Sequence, residues 1–184
     1  FLFKIKPTRF SNFQIKMINN MVDILQLKDA NDILHQSELY EKAMGKFLLF
    51  LKGKNELEES KTAICKDITI IYEKLYHPST FKKPLKDLHD FEQDKLLYFI
   101  INDSDVYLGK LLSKDKTEFS IKLFRDIKNL KNINENDEIQ VYIWRLGDAE
   151  YSFKSVINGV DKNILKISIP EKFERNKEFR HPYI

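Results

Sequence analysis

The feature that most constrains the fold is a change in the spacing of apolar residues near the middle of the chain. Up to about residue 78, apolar residues recur every three or four positions, which is the period of an amphipathic helix. From about residue 91, short runs rich in β-branched and aromatic residues follow one another, which is typical of strands. The polar segment 79–90 contains Pro84 and has neither period. The sequence therefore predicts an α+β protein: a small helical bundle at 1–78, a linker at 79–90, and a β-rich unit from residue 91.

The first part of the chain carries the signals of three helices and one short helical turn. The helices are expected at about 11–27, 37–52 and 56–76, with the single turn at 29–34. Ser11, followed three residues later by Gln14, matches a capping box. The three methionines, Met17, Met21 and Met44, are interpreted as core filler. Amphipathic helices with short connections favour an antiparallel bundle.

The second part predicts a six-stranded antiparallel β-barrel at 91–170, because no helical pattern long enough for a crossover separates the strands. The strands are expected at about 95–101, 106–112, 118–124, 138–145, 151–157 and 164–169. Turns are expected at Leu146-Gly147-Asp148 and at Asn158-Gly159, and residues 124–132 are left open between a short helix and an ordered loop. In the fourth strand, Ile139, Val141 and Ile143 share one face, and Tyr142 and Trp144 share the other.

Composition and motifs argue against several classes of function. The net charge is +3, from 31 basic and 28 acidic residues, which is too small an excess to suggest nucleic acid as a partner. The sequence contains no glycine-rich phosphate loop, no Cys-x-x-Cys pair and no serine nucleophile elbow. We therefore expect no enzymatic activity, no metal and no bound cofactor. The lone cysteine, Cys65, cannot form an internal disulfide, which fits the cytoplasm.

Aromatic residues on the strands leave an oligonucleotide-binding barrel as an alternative, because small barrels can stack bases. These residues are Tyr98, Tyr107, Tyr142, Trp144, Tyr151 and Phe153. Strands are enriched in aromatic residues for packing reasons alone. The small net charge also argues against nucleic acid as a partner, so packing is the preferred interpretation of these residues.

The beginning of the chain, FLFKIK at 1–6, leaves two alternatives open. It is compatible with the end of an apolar membrane anchor before Phe1, or with a frayed leader. The expected location is accordingly the cytoplasm, with tethering to the inner membrane as the alternative.

The end of the chain carries a more specific pattern. Residues 136–170, NDEIQVYIWRLGDAEYSFKSVINGVDKNILKISIP, run directly into EKFERNKEFRHPYI at 171–184. Two strand sequences stand out, Glu150-Tyr151-Ser152-Phe153 and Ile167-Ser168-Ile169-Pro170. Over about residues 92–184, this order resembles the amino-terminal domain of YcgR-like flagellar-brake proteins and the linker that enters their PilZ domain.

The resemblance implies that residues 171–184 are a linker of the form Arg-Arg-three residues-Arg, which clasps cyclic di-GMP against a PilZ barrel. Its positions here are Arg175, Asn176 and Arg180. The second arginine of the pattern is replaced by Asn176, which lacks a charge and a planar fork. The PilZ domain, with its Asp-x-Ser-x-x-Gly motif, is expected beyond Ile184, so the ligand site of this chain is only partial.

The function implied by the resemblance is that of a non-catalytic regulatory or interaction module of a PilZ-type cyclic di-GMP receptor. Its partner would be the flagellar motor or another protein. The alternative is a structural adaptor of a motility or envelope assembly that no longer binds cyclic di-GMP.

Overall fold

The computed structural model describes residues 10–52, 58–77, 82–103, 105–124 and 133–178. The chain divides between Pro78 and Ser79 into two compact units, one helical and one built on a β-barrel. The protein is therefore α+β, with an antiparallel barrel in its second unit.

The helical unit contains α1 (Asn12–Leu25), α2 (Asn31–His35), α3 (Ser37–Lys52) and α4 (Glu58–Tyr76). The capping box at the start of α1 is confirmed: the Ser11 hydroxyl accepts from the Gln14 backbone N–H at 3.2 Å, and the Gln14 side chain accepts from the Ser11 N–H at 3.3 Å. Gln26 takes a left-handed conformation, with φ of 52°, and ends the helix slightly before the predicted residue.

The core of the helical unit is built from the predicted apolar stripes. Helix α3 contacts each of the other three helices, and α4 also contacts α1 and α2. All three methionines are buried, as predicted, and Cys65 is buried as well. The largest apolar side chains with no exposed surface are Ile18, Met21, Ile33, Met44, Ile68 and Ile71. Burial of such side chains is the main favourable term in the stability of this unit.

The barrel unit contains β1 (Leu96–Ile101), β2 (Asp105–Lys114), β3 (Glu118–Leu123), β4 (Glu138–Trp144), β5 (Ala149–Asp161), β6 (Ile164–Ser168) and β7 (Glu174–Glu178). Six strands form a closed antiparallel barrel in the order β4-β1-β2-β3-β6-β5, because β5 also pairs with β4. Ile139, Val141 and Ile143 lie in the barrel core, whereas Tyr142 and Trp144 do not, so the predicted faces of β4 are confirmed.

The prediction of a turn at Asn158-Gly159 is wrong. The strand continues to Asp161, and the register shift between Ile157 and Gly159 marks a β-bulge. The chain turns instead around Lys162, whose φ is 53°. The bulge bends β5, so that its first part pairs with β4 and its last part pairs with β6.

The segment predicted as a linker at 79–90 is in part packed on the barrel. Leu85 and Leu88 are buried in the barrel core, and Leu88–Asp90 form a turn of 3₁₀ helix, η1. A polar segment with two leucines thus closes one part of the barrel core. Because the segment has neither the helical nor the strand period, its sequence did not predict this packing.

The segment 171–184, expected to be a linker, contains the seventh strand. Since β6 pairs only with the last part of β5, the other edge of residues 149–152 is available, and β7 pairs there. This pairing satisfies the backbone hydrogen-bonding groups of β5. It forms although the sequence of β7, ERNKE, lacks the apolar alternation typical of a strand.

Candidate functional site

The candidate site lies at the end of the barrel where β4 turns into β5. Gly147 has a φ of 82°, which favours glycine, and the Asp148 N–H donates to the Arg145 carbonyl at 3.1 Å. The Arg145 N–H donates in turn to the Ala149 carbonyl at 3.0 Å. This tight turn brings the side chains of Arg145 and Asp148 together.

The Asp148 carboxylate is the centre of the site. Its side chain has 0% exposed surface. One oxygen, Oδ2, accepts from Arg145 Nη1 and from the Tyr151 hydroxyl at 2.7 Å. The other, Oδ1, accepts from Arg175 Nη2 at 2.9 Å and from Arg175 Nε at 3.3 Å. A buried carboxylate thus lies between two guanidinium groups, which is the arrangement that makes its burial tolerable.

Arg145 is held from several sides. Its Nε and Nη2 atoms donate to the two Glu92 oxygens, each at 3.2 Å, and Nη1 donates to the Lys83 carbonyl at 2.9 Å. Burial would raise the pKa of Glu92, but hydrogen bonds from Arg145 and the nearby charge of Lys82 lower it to about 2. Burial likewise works against the charged form of Arg145, and Glu92 and Asp148 raise its pKa above the usual value.

Tyr151 links this charged cluster to the segment that precedes the barrel. Its hydroxyl donates to Asp148 and accepts from the Leu85 N–H at 2.9 Å. Burial raises the pKa of Tyr151, and the hydrogen bond to Asp148 adds to the rise. The hydroxyl therefore stays protonated at neutral pH and holds the predicted linker segment against the barrel.

The three residues predicted from the linker pattern have different positions. Arg175 belongs to the cluster just described, with 32% of its side chain exposed. Asn176 is the next residue of β7, and its Nδ2 donates to the Ser152 hydroxyl at 2.9 Å. Arg180 lies outside the described residues. Arg175 and Asn176 are thus side by side on one strand, and each contacts β5 or the turn before it.

Four members of the cluster were not predicted: Glu92, Arg145, Asp148 and Tyr151. Asp148 had been placed only in a turn, and Tyr151 only in a strand motif and among the aromatic residues considered for base stacking. Arg145 and Asp148 are three residues apart on either side of Gly147, and this spacing was the signal in the sequence for their ion pair. Such pairs are also common on exposed turns, so the spacing does not by itself indicate a buried cluster.

A groove runs over the outer face of β4 and β5, next to β7. It has a volume of about 990 Å³, and its lining includes Tyr142, Ser152, Lys154, Lys172 and Asn176. A second hollow of about 530 Å³ continues from it and shares Tyr142 and Lys154. The lining combines side chains of different charge and polarity, so it does not indicate one class of ligand.

Of the six aromatic residues considered for base stacking, five are buried: Tyr98, Tyr107, Trp144, Tyr151 and Phe153. Tyr142 is partly exposed in the groove, and its ring stacks on Tyr98 with centroids 4.9 Å apart. Burial raises the pKa of Tyr142, and the carboxylates of Glu150 and Asp103 add to this. The stacked pair is a cross-strand contact of the kind that stabilises sheets.

No protein-family model matches this chain, and the search of curated proteins returns no match. Within the ranges that the structure describes, no helix has both the length and the apolar character needed to cross a membrane. Over the same ranges, no group of three or more His, Cys, Asp or Glu side chains is arranged to hold a metal ion.

Proposed function

We propose that this chain is a non-catalytic regulatory module of a PilZ-type cyclic di-GMP receptor that acts on bacterial motility or on the flagellar motor. The observation that carries the proposal is the position of Arg175. It lies five residues after Pro170, at the point where the chain leaves the last barrel strand and forms β7. The sequence resemblance places the first arginine of the ligand-clasping linker at this residue.

The chemistry of Arg175 suits this role. Its planar guanidinium can make two parallel hydrogen bonds to a phosphate or stack on a guanine. Its Nε and Nη2 atoms make charge-assisted bonds to the Asp148 carboxylate, at 3.3 and 2.9 Å. Cyclic di-GMP carries two phosphates, and Arg175 would supply one cationic fork of a site completed by Arg180 and by a following domain.

A specific observation favours the second candidate, a structural adaptor of a motility or envelope assembly that no longer binds cyclic di-GMP. Asn176 stands where the pattern has arginine, and its amide is bonded to Ser152. Asn176 therefore acts in this structure as a contact between β7 and β5. An adaptor needs only such structural contacts at this position.

Calorimetric titration of cyclic di-GMP distinguishes the two candidates. We expect the 184-residue chain to bind more weakly than about 1 mM, since ordering a terminal segment costs roughly 1–2 kcal/mol per residue. We expect a chain extended through a following PilZ domain to bind measurably, with loss of binding on Arg180→Ala and tighter binding on Asn176→Arg. Absence of binding by the extended chain supports the adaptor. Micromolar binding by the 184-residue chain alone contradicts the assignment of the ligand to the linker.

A further inference from the structure

The ion pair between Arg175 and Asp148 joins two parts of the barrel unit whose attachment differs in strength. Within the part of the chain that the structure describes, β7 lies at the end of the strand order and pairs with β5 over residues 149–152. That pairing is itself irregular, with a register shift between Ala149 and Glu150. The backbone therefore holds β7 over a short length, and the side chains of Arg175 and Asn176 add to the attachment.

The two arginines that contact Asp148 are not equivalent. Arg145 is only 8% exposed at its side chain and is also bonded to Glu92 and to the Lys83 carbonyl. Arg175 has 32% of its side chain exposed and comes from the edge strand. If Arg175 moves away, Asp148 keeps its bonds from Arg145 and Tyr151, so its charge remains compensated. The Arg175 contact is thus the one that can open without leaving a buried charge alone.

We propose that Arg175 and Asp148 form a releasable latch: the ion pair holds β7 on the barrel, and an anionic ligand that takes the same Nε–Nη2 edge of the Arg175 guanidinium must first displace Asp148 from it. The competition with cyclic di-GMP rests on the proposed function, whereas the latch itself does not. Because one guanidinium edge cannot serve two anions at once, ligand binding and β7 docking oppose each other. By linkage, a change that weakens the latch and leaves Arg175 intact tightens the ligand, and the ligand loosens β7 to the same degree.

The latch is tested by hydrogen exchange of the β7 amides in the 184-residue chain. Arg175→Gln keeps a polar side chain of similar length but removes the charge. Loss of one charge-assisted contact predicts exchange about tenfold to hundredfold faster in residues 174–178, with β1 to β4 unchanged. The matched control is Asn176→Ala, the neighbouring residue on the same strand, which loses only a neutral hydrogen bond and is expected to show a smaller increase. Equal exchange in Arg175→Gln, Asn176→Ala and the wild-type chain overturns the latch.

The competition is tested by titrating cyclic di-GMP into the chain extended through a following PilZ domain, as the wild type and with Asp148→Asn or Arg175→Gln. Asp148→Asn keeps the shape of the side chain and removes its charge, so the ligand is expected to bind about tenfold more tightly than to the wild type. Arg175→Gln is expected to bind more weakly. If Asp148→Asn weakens binding as much as Arg175→Gln does, Asp148 orients Arg175 for the ligand and does not compete with it.

The two experiments separate the two proposals. Absence of cyclic di-GMP binding by all three proteins contradicts the proposed function and the competition, and the exchange rates still decide whether the latch exists. Unchanged exchange together with normal ligand binding contradicts the latch and leaves the proposed function standing.

Discussion

Tyr40 in the helical unit and Tyr151 in the barrel are both fully buried tyrosines, yet the two units satisfy their hydroxyls differently. The Tyr40 hydroxyl donates to the backbone carbonyl of Ile68 at 2.9 Å, on a neighbouring helix. The Tyr151 hydroxyl donates to the Asp148 carboxylate and accepts from the Leu85 N–H. The hydroxyl of one tyrosine makes a single neutral hydrogen bond, and the hydroxyl of the other is part of a charged network.

This difference bears on how each unit tolerates substitution. A neutral hydrogen bond contributes about 0.5–1.5 kcal/mol net, whereas an uncompensated buried charge costs several times more. We therefore expect the barrel to be more sensitive than the helical unit to loss of a single polar group.

The largest effect is expected for Asp148→Ala, which leaves Arg145 buried with one counter-charge fewer. The barrel should lose about 3–5 kcal/mol of unfolding free energy. Trp144 is the only tryptophan and lies in β4, so denaturant unfolding followed by its fluorescence reports on the barrel. Asp161→Ala, at the exposed far end of β5, is the control and should stay within about 0.5 kcal/mol of the wild type. Equal effects of the two substitutions would remove the distinction between the units.

The comparison is tested directly by Tyr151→Phe against Tyr40→Phe. The first removes a bond to a buried carboxylate and leaves the Leu85 N–H without its acceptor, so a loss of about 2–4 kcal/mol is expected. The second should cost about 0.5–1.5 kcal/mol. Tryptophan fluorescence follows the barrel and helical circular dichroism follows the other unit. A larger loss for Tyr40→Phe would reverse the comparison.

Acid titration tests the charged network through Glu92. Its folded-state pKa, about 2, is below the ordinary value of 4.5, so its contribution is fully present above pH 4.5 and is lost as the pH falls toward 2. Because the Glu92 side chain is 35% exposed, screening limits the contribution to about 1–2 kcal/mol. The difference in stability between the wild type and Glu92→Gln should have this size at pH 7 and shrink toward pH 2. A difference that is constant with pH contradicts the network.

The smallest effect is expected for Ser11→Ala at the start of α1. The substitution removes one half of the capping box, which contributes about 1 kcal/mol. The loss should appear in the helical circular dichroism signal and leave the Trp144 transition unchanged. Ser11→Asn, which preserves an acceptor at the cap, should restore most of the stability.

Local patterns in the sequence predicted the elements that depend on local physics. Alternation in β4 placed Ile139, Val141 and Ile143 inward because successive side chains of a strand point to opposite faces. The capping box was predictable because its two partners are three residues apart. By contrast, Asn-Gly suits both a turn and a bulge, and at Asn158 the pairing partners of the bent strand determine which one forms.

The candidate site was predictable only in part. Arg175 was singled out through a family pattern, yet its contact with Asp148 spans 27 residues, and that of Arg145 with Glu92 spans 53. The spacing of apolar residues within one helix or strand gives no information about contacts between residues so far apart in the sequence. Strand β7 was missed because an edge strand is held by its backbone, and its sequence shows no apolar alternation.

The placement of β7 after the barrel has a consequence for synthesis on the ribosome. Pairs such as β2–β3 and β4–β5 join neighbours in sequence and can form early, whereas closure through β1–β4 and β3–β6 must bring distant segments together. Asp148 emerges before Arg175, so Arg145 is the first cation that the nascent chain can place beside that carboxylate. The second cation can join only once β7 has been made, so we expect the electrostatic balance at this end of the barrel to be completed late in its folding.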